Sequence, residues 1–330
     1  MRKRRALVTG AGGFIGHYLV KFLQSEGCWV RGVDVKLPEF EQTSADAFEL
    51  LDLRELSSCL QATSDIDEVY QLAADMGGIG YITANHADIA RNNVLINAHM
   101  LEAAHQNGAG RFFFSSSACI YPQYLQRTPD LEGLKEEDAY PADAEEGYGW
   151  EKLYSEKLCQ YYLQDKHLAT RIARFHNVYG PLGTYEGGRE KAPAAICRKV
   201  ALADDGDELE VWGDGKQSRS FMYIDDCVEG IYRIARSDHA APLNLGTEVM
   251  VTVDELCDFI SDIAQKTLVK CYDPSKPQGV RGRNSDNSRL RAVLGWEPTS
   301  PLRDGLQVTY RWIEGELKRI EGSKVGAAEA

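Results

Sequence analysis

The sequence predicts an α/β protein: a doubly wound parallel sheet with a smaller α/β domain whose segments are interleaved with it along the chain. Three observations predict this fold. Short apolar segments alternate with amphipathic, helix-length segments through the first half. A glycine-rich turn joins the first strand to the first helix. From about residue 177 glycines and prolines crowd the chain before strands and helices resume, which indicates a long functional loop.

The predicted elements rest on hydrophobic periodicity, with a period of 3.6 for helices and short apolar runs for buried strands. In the first helix the apolar side is Ile15, Leu19, Phe22 and Leu23. The predicted strands are residues 6–9, 29–34, 48–51, 68–72, 111–115, 169–174 and 208–212. The predicted helices are residues 14–25, 89–105, 148–164, one after Ala192, one after Asp225, and 302–321. The small, polar end of the chain, residues 323–330, is predicted to be disordered.

Composition excludes several classes of protein. The 330 residues are 43% hydrophobic, enough for a large core, and the formal charge of −13 argues against general nucleic-acid binding. No apolar run reaches the roughly 18 residues that span a bilayer. The eight cysteines show no CxxC pair, which favours reduced thiols over disulfides or a metal site. We therefore expect a soluble cytoplasmic protein without membrane segment or bound metal.

The stretch TGAGGFIG, residues 9–16, predicts a dinucleotide site because it lies between a strand and a helix. Gly10 allows the tight turn, Gly13 lets a pyrophosphate approach the backbone, and Gly16 permits close packing of the helix. The helix that begins at Phe14 and Ile15 then offers unpaired N–H groups to the phosphates.

Acidic residues at strand ends refine this prediction. Asp34 ends the second strand, where a carboxylate binds the adenosine ribose and repels a 2′-phosphate, so NAD is favoured over NADP. Asp52 follows the third strand and either contacts the adenine or is an ordinary turn aspartate. Ala73, directly after the fourth predicted strand, is a further candidate for cofactor binding.

Tyr148 and Lys152 are four residues apart and so share one helix face. A lysine ammonium beneath a phenol stabilises the phenolate and brings proton transfer within reach at neutral pH. Ser117, near the end of the fifth strand, can share the proton of a substrate hydroxyl. Together with the glycine turn, these residues resemble the extended short-chain dehydrogenase/reductase superfamily, whose Rossmann-type enzymes work on nucleotide sugars with NAD.

Further motifs narrow the resemblance. LAADMGGIGYI, SSACIYP, GGREKAPAA and GVRGRNSDN, with RFHNVYGP and WGDGKQSRSF, resemble the GDP-mannose 3,5-epimerase family. The resemblance implies epimerisation of GDP-mannose at C3 and C5 to GDP-L-galactose, with GDP-L-gulose as the 5-epimer, through transient oxidation at C4. Dehydratases of the superfamily carry an Asp-Glu pair where this chain has Ala118 and Cys119.

Inversion needs a proton removed from one face and another delivered to the opposite face, so two acid–base residues are required. Cys119 and Lys191 are the candidates that the resemblance implies. A thiol has an ordinary pKa of about 8.5, and burial can bring that of a lysine toward neutrality. Taken alone, a cysteine is more often a packed small hydrophobe, and that interpretation is kept for the other seven.

The resemblance also implies a set of substrate-binding residues and a domain division. The division is an NAD-binding domain, 1–175 plus about 216–246, and a nucleotide-sugar domain, 176–215 and 247–322. A homodimer is expected through the helices near 89–105 and 148–164. His176 is predicted to be structural. The predicted substrate-binding residues are Gly77, Gly78, Ser117, Ala118, Cys119, Asn177, Glu190, Lys191, Ala192, Lys199, Gln217, Ser218, Arg219, Ser220 and Arg283.

Two alternatives remain at this point. Another NAD-dependent nucleotide-sugar enzyme, a 4-epimerase or a 4,6-dehydratase, would share the fold and the Tyr148/Lys152 pair. A catalytically silent NAD-binding sensor or scaffold predicts a damaged pair, which the sequence does not contain.

Overall fold

A computed structural model describes residues 2–328, with side chains through Gly322. The strands are β1 (Arg5–Thr9), β2 (Trp29–Asp34), β3 (Ala47–Leu50), β4 (Glu68–Gln71), β5 (Arg111–Ser117), β6 (Ala169–Phe175), β7 (Asn177–Tyr179), β8 (Glu208–Trp212), β9 (Ser218–Tyr223), β10 (Leu243–Leu245), β11 (Met250–Thr252), β12 (Val269–Asp273) and β13 (Gly282–Arg283). The helices are α1 (Phe14–Ser25), α2 (Leu56–Thr63), α3 (Ile79–Ala84), α4 (His86–Gln106), α5 (Glu146–Lys166), α6 (Ala192–Leu202), α7 (Ile224–Arg236), α8 (Val253–Ala264), α9 (Ser288–Leu294) and α10 (Leu302–Ala328).

Seven parallel strands form the main sheet in the order β10-β6-β5-β4-β1-β2-β3. The order reverses between β1 and β4, which is the point at which doubly wound sheets bind their ligands. The predicted fold class is therefore confirmed. All the strands end at the same edge, so the residues that follow β1, β4 and β5 lie close together there.

Helices cover both faces of this sheet, which explains why its strands are apolar on both sides. On one face α1 packs against α7, around buried residues such as Val8, Leu19 and Ile231. On the other face α2, α4 and α5 pack over residues such as Leu7, Met100 and Phe112.

The later part of the chain forms a second, smaller core. Strands β11, β9 and β13 form one sheet with β7 paired to β9, and β12 pairs with β8. Helices α6, α8 and α10 pack around this core, which includes Cys197, Leu256 and Leu306. The chain crosses between the two cores more than once, since β10 returns to the main sheet after β9. The predicted domain boundaries stay a prediction.

The structure differs from the sequence-based elements mainly where the elements are short. Strand β5 extends two residues beyond its predicted end, so Ser117 is its last residue. Strands β7, β9, β10, β11, β12 and β13 and helices α2, α3, α8 and α9 were not predicted; most are shorter than two helical turns or four strand residues, too short for a period to stand out. Helix α10 continues to Ala328, so residues 323–328 of the predicted disordered tail have a helical backbone here, and residues 329–330 lie outside the described residues. Among the helices described, none is long and apolar enough to cross a membrane.

Candidate active site

A cleft of about 500 Å³ opens between the carboxyl ends of the main-sheet strands and the smaller core. It brings together residues from β5, α5, α6, β9 and β13, and it places Cys119 beside Arg283, which lies 164 positions away in the chain. The predicted residues that line it are Ile15, Gly77, Gly78, Ser117, Ala118, Cys119, Tyr148, Lys152, Asn177, Glu190, Lys191, Ala192, Lys199, Gln217, Arg219 and Arg283.

The glycine turn between β1 and α1 has the geometry that a dinucleotide pyrophosphate requires. Helix α1 begins after Gly13 with no side-chain cap and no acidic residue in its first turn, so its N–H groups are free for an anion. A Cβ on Gly16 would lie 2.1 Å from the carbonyl oxygen of Gly10, which confirms that glycine is needed for the close packing of the helix. These residues fit NAD.

The strand-end residues have different surroundings. The Asp34 carboxylate accepts the Gly12 N–H at 2.9 Å and so lies beside the glycine turn, where it can also accept ribose hydroxyls. Asp52 instead pairs with Arg54, whose Nε is 2.9 Å from its carboxylate, and accepts the Arg54 N–H. This is the turn-aspartate alternative, and the adenine contact of Asp52 stays a prediction. Ala73 donates its N–H to Thr9 of β1.

Tyr148 and Lys152 lie on the same face of α5, as their spacing predicts, and both are buried. The Lys152 ammonium nitrogen is 5.7 Å from the centre of the Tyr148 ring and 3.8 Å from a carboxylate oxygen of Glu151. Burial raises the pKa of Tyr148, and the nearby Cys119 and Glu151 raise it further, whereas the Ser117 hydroxyl and the charge of Arg283 lower it. The surroundings in this state therefore keep the phenol protonated.

A buried polar network holds this pair in place. Asn93 and Asn97, on α4, donate to the two carboxylate oxygens of Glu151 at 2.9 and 3.3 Å. Asn97 also donates to Ser155 at 3.1 Å. Glu151 is directly adjacent to Lys152, so the network fixes the turn of α5 that carries Lys152. The sequence did not single out these asparagines, because α4 and α5 meet only in the folded chain.

Cys119 occupies a short 3-10 turn directly after β5, with its N–H donated to the Ser117 hydroxyl at 3.1 Å. Arg283 donates to the Cys119 sulfur at 3.3 Å and to a Glu145 oxygen at 2.8 Å. Its Nε donates to Gln126 at 2.7 Å. Burial raises the pKa of Cys119 and the Glu145 carboxylate raises it further, while Arg283 and Ser117 oppose them. The thiol form is favoured at rest.

Arg283 therefore has a different environment from the one predicted. The sequence analysis offered it as a candidate for the diphosphate and nucleoside. In the structure all of its hydrogen bonds go to Gln126, Cys119 and Glu145. Although burial by itself would lower the pKa of Arg283, the charge of Glu145 holds it above the ordinary value. The Arg283 side chain lies against the Cys119 thiol and is still part of the cleft lining.

Lys191 reaches the same cleft from the loop before α6. Its backbone precedes the first turn of that helix, and its carbonyl accepts the Ala195 N–H at 2.9 Å. Burial lowers the pKa of its ammonium, and the nearby Cys119 only partly opposes this. A lysine of lowered pKa and a protonated thiol therefore line the same cleft, which is the combination of groups that proton transfer on two faces requires.

Strand β9 explains which residues of 217–220 can reach a ligand. Because side chains alternate along a strand, Gln217 and Arg219 line the cleft, whereas Ser218 and Ser220 do not. Ser218 donates to the Pro129 carbonyl, and Ser220 is fully buried. The prediction that these two serines bind substrate does not fit this geometry.

Arg219 and Gln217 each keep an unused binding capacity. Arg219 donates only to backbone carbonyls, of Ser218, Gln278 and Val280, and burial together with the charge of Arg283 lowers its pKa to about 10. Its positive charge is thus incompletely balanced. The Gln217 amide donates to the Trp212 carbonyl, which leaves its buried Oε1 without a partner.

Three other predicted residues have protein partners inside the cleft. Lys199 lies 2.6 Å from a carboxylate oxygen of Glu210, and Asn177 donates to the Ser220 carbonyl at 3.0 Å. A Cβ on Gly78 would lie 2.4 Å from the Glu190 carbonyl oxygen. Gly78 is therefore required by the approach of the loop that carries Lys191, rather than by approach of the sugar alone.

Several cleft residues were missed by the sequence analysis. Glu145, Arg198, Glu210 and Trp212 all line the cleft, and the Nε of Arg198 has no partner. Their only local signal was proximity to quoted motifs. His176, predicted to be structural, is buried beside Asn244, and burial lowers its pKa to about 3. Of the other seven cysteines six are buried, and all eight are free.

The chain is similar to known NAD-dependent enzymes in both sequence and fold. The model of the NAD dependent epimerase/dehydratase family matches residues 6–246. The chain is 47% identical over 328 residues to GDP-mannose 3,5-epimerase 1 of Oryza sativa subsp. indica, covering 99% of this chain and 86% of that protein. It is 47% identical over 322 residues to GDP-mannose 3,5-epimerase of Arabidopsis thaliana, covering 96% and 85%. UDP-glucose 4-epimerase of Thermotoga maritima shares the fold, with a TM-score of 0.86, 24% identity, and coverage of 95% and 99%.

Proposed function

The chain belongs to the NAD dependent epimerase/dehydratase family and within it to the GDP-mannose 3,5-epimerases, and we propose that its cleft performs that reaction by the residues described above. The protein is an isomerase with NAD as its cofactor. The observation that carries the residue assignment is that Cys119 and Lys191 line the same cleft as Tyr148 and Lys152.

The reaction requires oxidation at C4 because a C–H bond beside an alcohol carbon is too weakly acidic to break at neutral pH. NAD held at the glycine turn beside Asp34 would supply the hydride acceptor for oxidation at C4 and the hydride donor for the final reduction, so it would be recycled. A ketone at C4 acidifies both neighbouring carbons, C3 and C5. One site can therefore invert both, yielding GDP-L-galactose, with GDP-L-gulose as the 5-epimer.

Tyr148 is the proposed base for the C4 hydroxyl, with Ser117 sharing the proton. Its raised pKa in the structure means that a positive charge must be added before the phenol can give up its proton easily. Lys152 is 5.7 Å from the ring but also near Glu151, so its own effect is partly neutralised. NAD bound in its oxidised form would supply this positive charge.

Cys119 and Lys191 are the proposed pair for C3 and C5. Their pKa shifts run in opposite directions, up for the thiol and down for the ammonium, so burial favours a protonated donor at Cys119 and makes Lys191 a better proton acceptor than a lysine in water. Arg283, which donates to the Cys119 sulfur, lowers the pKa of the thiol, and Glu145, which pairs with Arg283, raises it.

The smaller core supplies the nucleotide end of the cleft. The incompletely balanced charge of Arg219 suits the diphosphate, since a guanidinium binds phosphate oxygens in a bidentate manner. The free Oε1 of Gln217 is an acceptor and would repel a phosphate, so we assign it to a donor on the nucleoside. Lys199 and Asn177 remain candidates for nearby contacts.

The two alternatives predict other products. A 4-epimerase inverts only C4 and exchanges no carbon-bound hydrogen with solvent, and a 4,6-dehydratase loses water. A silent NAD-binding sensor converts nothing. Incubation with GDP-mannose in deuterium oxide, followed by NMR, separates them: we expect epimers that carry deuterium at C3 and C5. Products without deuterium, or none at all, would contradict the proposed function.

We further propose a cytoplasmic homodimer. Trp150, Tyr154 and Tyr161 form an exposed row on α5, beside exposed Leu95 on α4. An apolar patch of this kind typically marks a contact surface, and a second copy of these helices would cover it. The free cysteines suit a reducing compartment. Cell fractionation tests the location.

A further inference from the structure

We propose that Arg189 is a positioning residue that holds Lys191 at the reacting face of the sugar. The proposal rests on the proposed function, because it concerns the same lysine. It is carried by the contacts between the loop before α6, residues 180–191 (the lysine loop), and the segment from Asp75 to Ile82 (the loop receptor).

The lysine loop needs an anchor on its N-terminal side. Gly187 and Gly188 have φ values of +86° and +83°, a region that favours glycine, and a Cβ on either would meet nothing within 4 Å. Packing therefore does not hold these two residues. On the C-terminal side, Lys191 is fixed by the start of α6, where its carbonyl accepts the Ala195 N–H.

Arg189 supplies that anchor. Its guanidinium carbon lies 3.8 Å from the centre of the Tyr81 ring, and its Nη1 lies 3.5 Å from an Asp75 carboxylate oxygen. The same Nη1 donates to the Met76 carbonyl at 3.3 Å. The backbone of Arg189 is held as well, because Gly78 donates its N–H to the Arg189 carbonyl at 3.0 Å.

The loop receptor is itself organised around this arginine. Tyr81 donates its hydroxyl to Asp75 at 2.8 Å, which holds the ring and the carboxylate together as one receptor. Gly78 leaves room for the Glu190 carbonyl, which a Cβ would approach to 2.4 Å. An isolated ion pair of a half-exposed arginine contributes little, but a guanidinium with a ring, a carboxylate and a carbonyl has a defined orientation.

The receptor is also tied to the residues that perform the oxidation. Asn93 accepts the Asp75 N–H at 2.6 Å and donates to the Asp75 carbonyl at 3.0 Å. The same Asn93 donates to Glu151 at 2.9 Å, and Glu151 adjoins Lys152. Lys191 is therefore placed relative to Tyr148 and Lys152 through Arg189, two residues away, and not only through the start of α6.

The two proposed acid–base residues then depend on different supports. Cys119 is held by Ser117, Arg283 and its own turn, none of which contacts Arg189. Tyr81 and Cys119 do pack against the same small cluster around Tyr148, but the hydrogen bonds that hold Cys119 do not involve the arginine. Loss of the arginine should therefore misplace Lys191 more than Cys119. In the direction in which Cys119 removes the proton, the C–H bond breaks, the thiol exchanges with solvent, and a C–D bond re-forms on the same face. Deuterium then enters without inversion.

The test compares Arg189→Gln and Arg189→Lys with the wild type in deuterium oxide, starting from GDP-mannose and separately from purified epimer. We expect inversion to fall about 10- to 100-fold in Arg189→Gln, mainly in kcat, and less in Arg189→Lys. In the direction in which Cys119 removes the proton, Arg189→Gln should still incorporate deuterium into the unepimerised sugar, and this incorporation should fall much less than inversion does. Hydrogen exchange of the Gly78 amide should also accelerate.

Arg233→Gln is the matched control, since Arg233 also lies over an aromatic ring, that of Trp296, and pairs with Glu229, but outside the cleft. It should leave both rates within about twofold. Inversion and deuterium incorporation that fall together in both directions, or inversion unchanged in Arg189→Gln, would overturn the proposal. If Lys191→Ala still inverts the substrate, the proposed role of Lys191 is wrong, and the role of Arg189 is wrong with it. If Lys191→Ala loses inversion but Arg189→Gln inverts at the normal rate, only the positioning role of Arg189 is refuted.

Discussion

The Nη1 atom of Arg283 lies 3.3 Å from the sulfur of Cys119, and the two residues are 164 positions apart in the chain. The other end of the guanidinium is paired with Glu145 at 2.8 Å. A buried cation and a buried carboxylate thus act on one thiol in opposite directions. The protonation of Cys119 depends on the balance between them, which makes it open to test by substitution.

Cys119→Ser should lose epimerisation by about 10²- to 10⁴-fold, the usual contribution of an acid–base group, because a hydroxyl is a far weaker acid than a thiol. Substrate binding should persist, since serine nearly preserves the size of the side chain. Product formation and GDP-mannose affinity are measured separately. Inversion of both carbons at a near wild-type rate would mean that the thiol is only a packed side chain.

Glu145→Gln should lower the pKa of Cys119. The Glu145 carboxylate raises that pKa, so its removal leaves burial opposed by an unpaired Arg283. We expect the pH dependence of thiol alkylation, measured against a Cys119→Ser background to subtract Cys271, to move to lower pH. Thermal denaturation checks that the variant is folded. A midpoint that stays in place, or moves upward, would contradict the assigned balance.

Tyr148→Phe should abolish oxidation at C4, and with it all exchange of the hydrogens on C3 and C5, because both depend on the ketone. The loss should again be about 10²- to 10⁴-fold or more. Lys152→Met should approach this loss. Deuterium incorporation at C5 followed by NMR is the measurement, and normal exchange in Tyr148→Phe would show that another residue is the base.

Asp34→Ala should weaken NAD binding by about 10- to 100-fold, the range for hydrogen bonds to a charged group. It should also relax discrimination against NADP, because the carboxylate beside Gly12 no longer repels a 2′-phosphate. Calorimetric titration with both cofactors gives the two affinities. Equal affinity of the unmutated protein for NAD and NADP would contradict the proposal that Asp34 selects NAD.

Tyr154→Glu should convert the proposed dimer to a monomer. Tyr154 is 53% exposed on α5, between Trp150 and Tyr161, so a charge there would be buried only in a dimer. Size-exclusion chromatography with light scattering measures the mass, and Tyr124→Glu, an exposed tyrosine outside α4 and α5, is the control. A monomeric wild-type protein would end this proposal.

Patterns that lie within one element were predictable. Helix α1 and strands β2 and β8 have the predicted bounds, since each carries a complete period of apolar residues. Tyr148 and Lys152 meet because four residues make about one helical turn. The glycine turn functions within a single strand–turn–helix unit. For the same reason, the family could be identified from continuous motifs.

Contacts between distant segments were not predictable. Strand β9 begins with the polar residues Ser218, Arg219 and Ser220, so no apolar run marked its start, and the alternation that selects Gln217 and Arg219 over Ser218 and Ser220 was missed. The role of Asp52 was left open for a different reason: Arg54 is only two residues away, but the sequence does not show that its side chain turns back onto the carboxylate.

The sequence by itself determined the fold class and the nucleotide turn, because these follow from residue type and local spacing. It also predicted the phenol of Tyr148 from its spacing to Lys152, and the thiol of Cys119 and the amine of Lys191 from the resemblance to the family. Only the tertiary structure decided what surrounds them. It places Glu145 and Arg283 against Cys119, and Asp75 and Tyr81 against Arg189. Burial and charge at a site depend on which segments the chain brings together, and so the tuning of each acid–base group is a property of the fold.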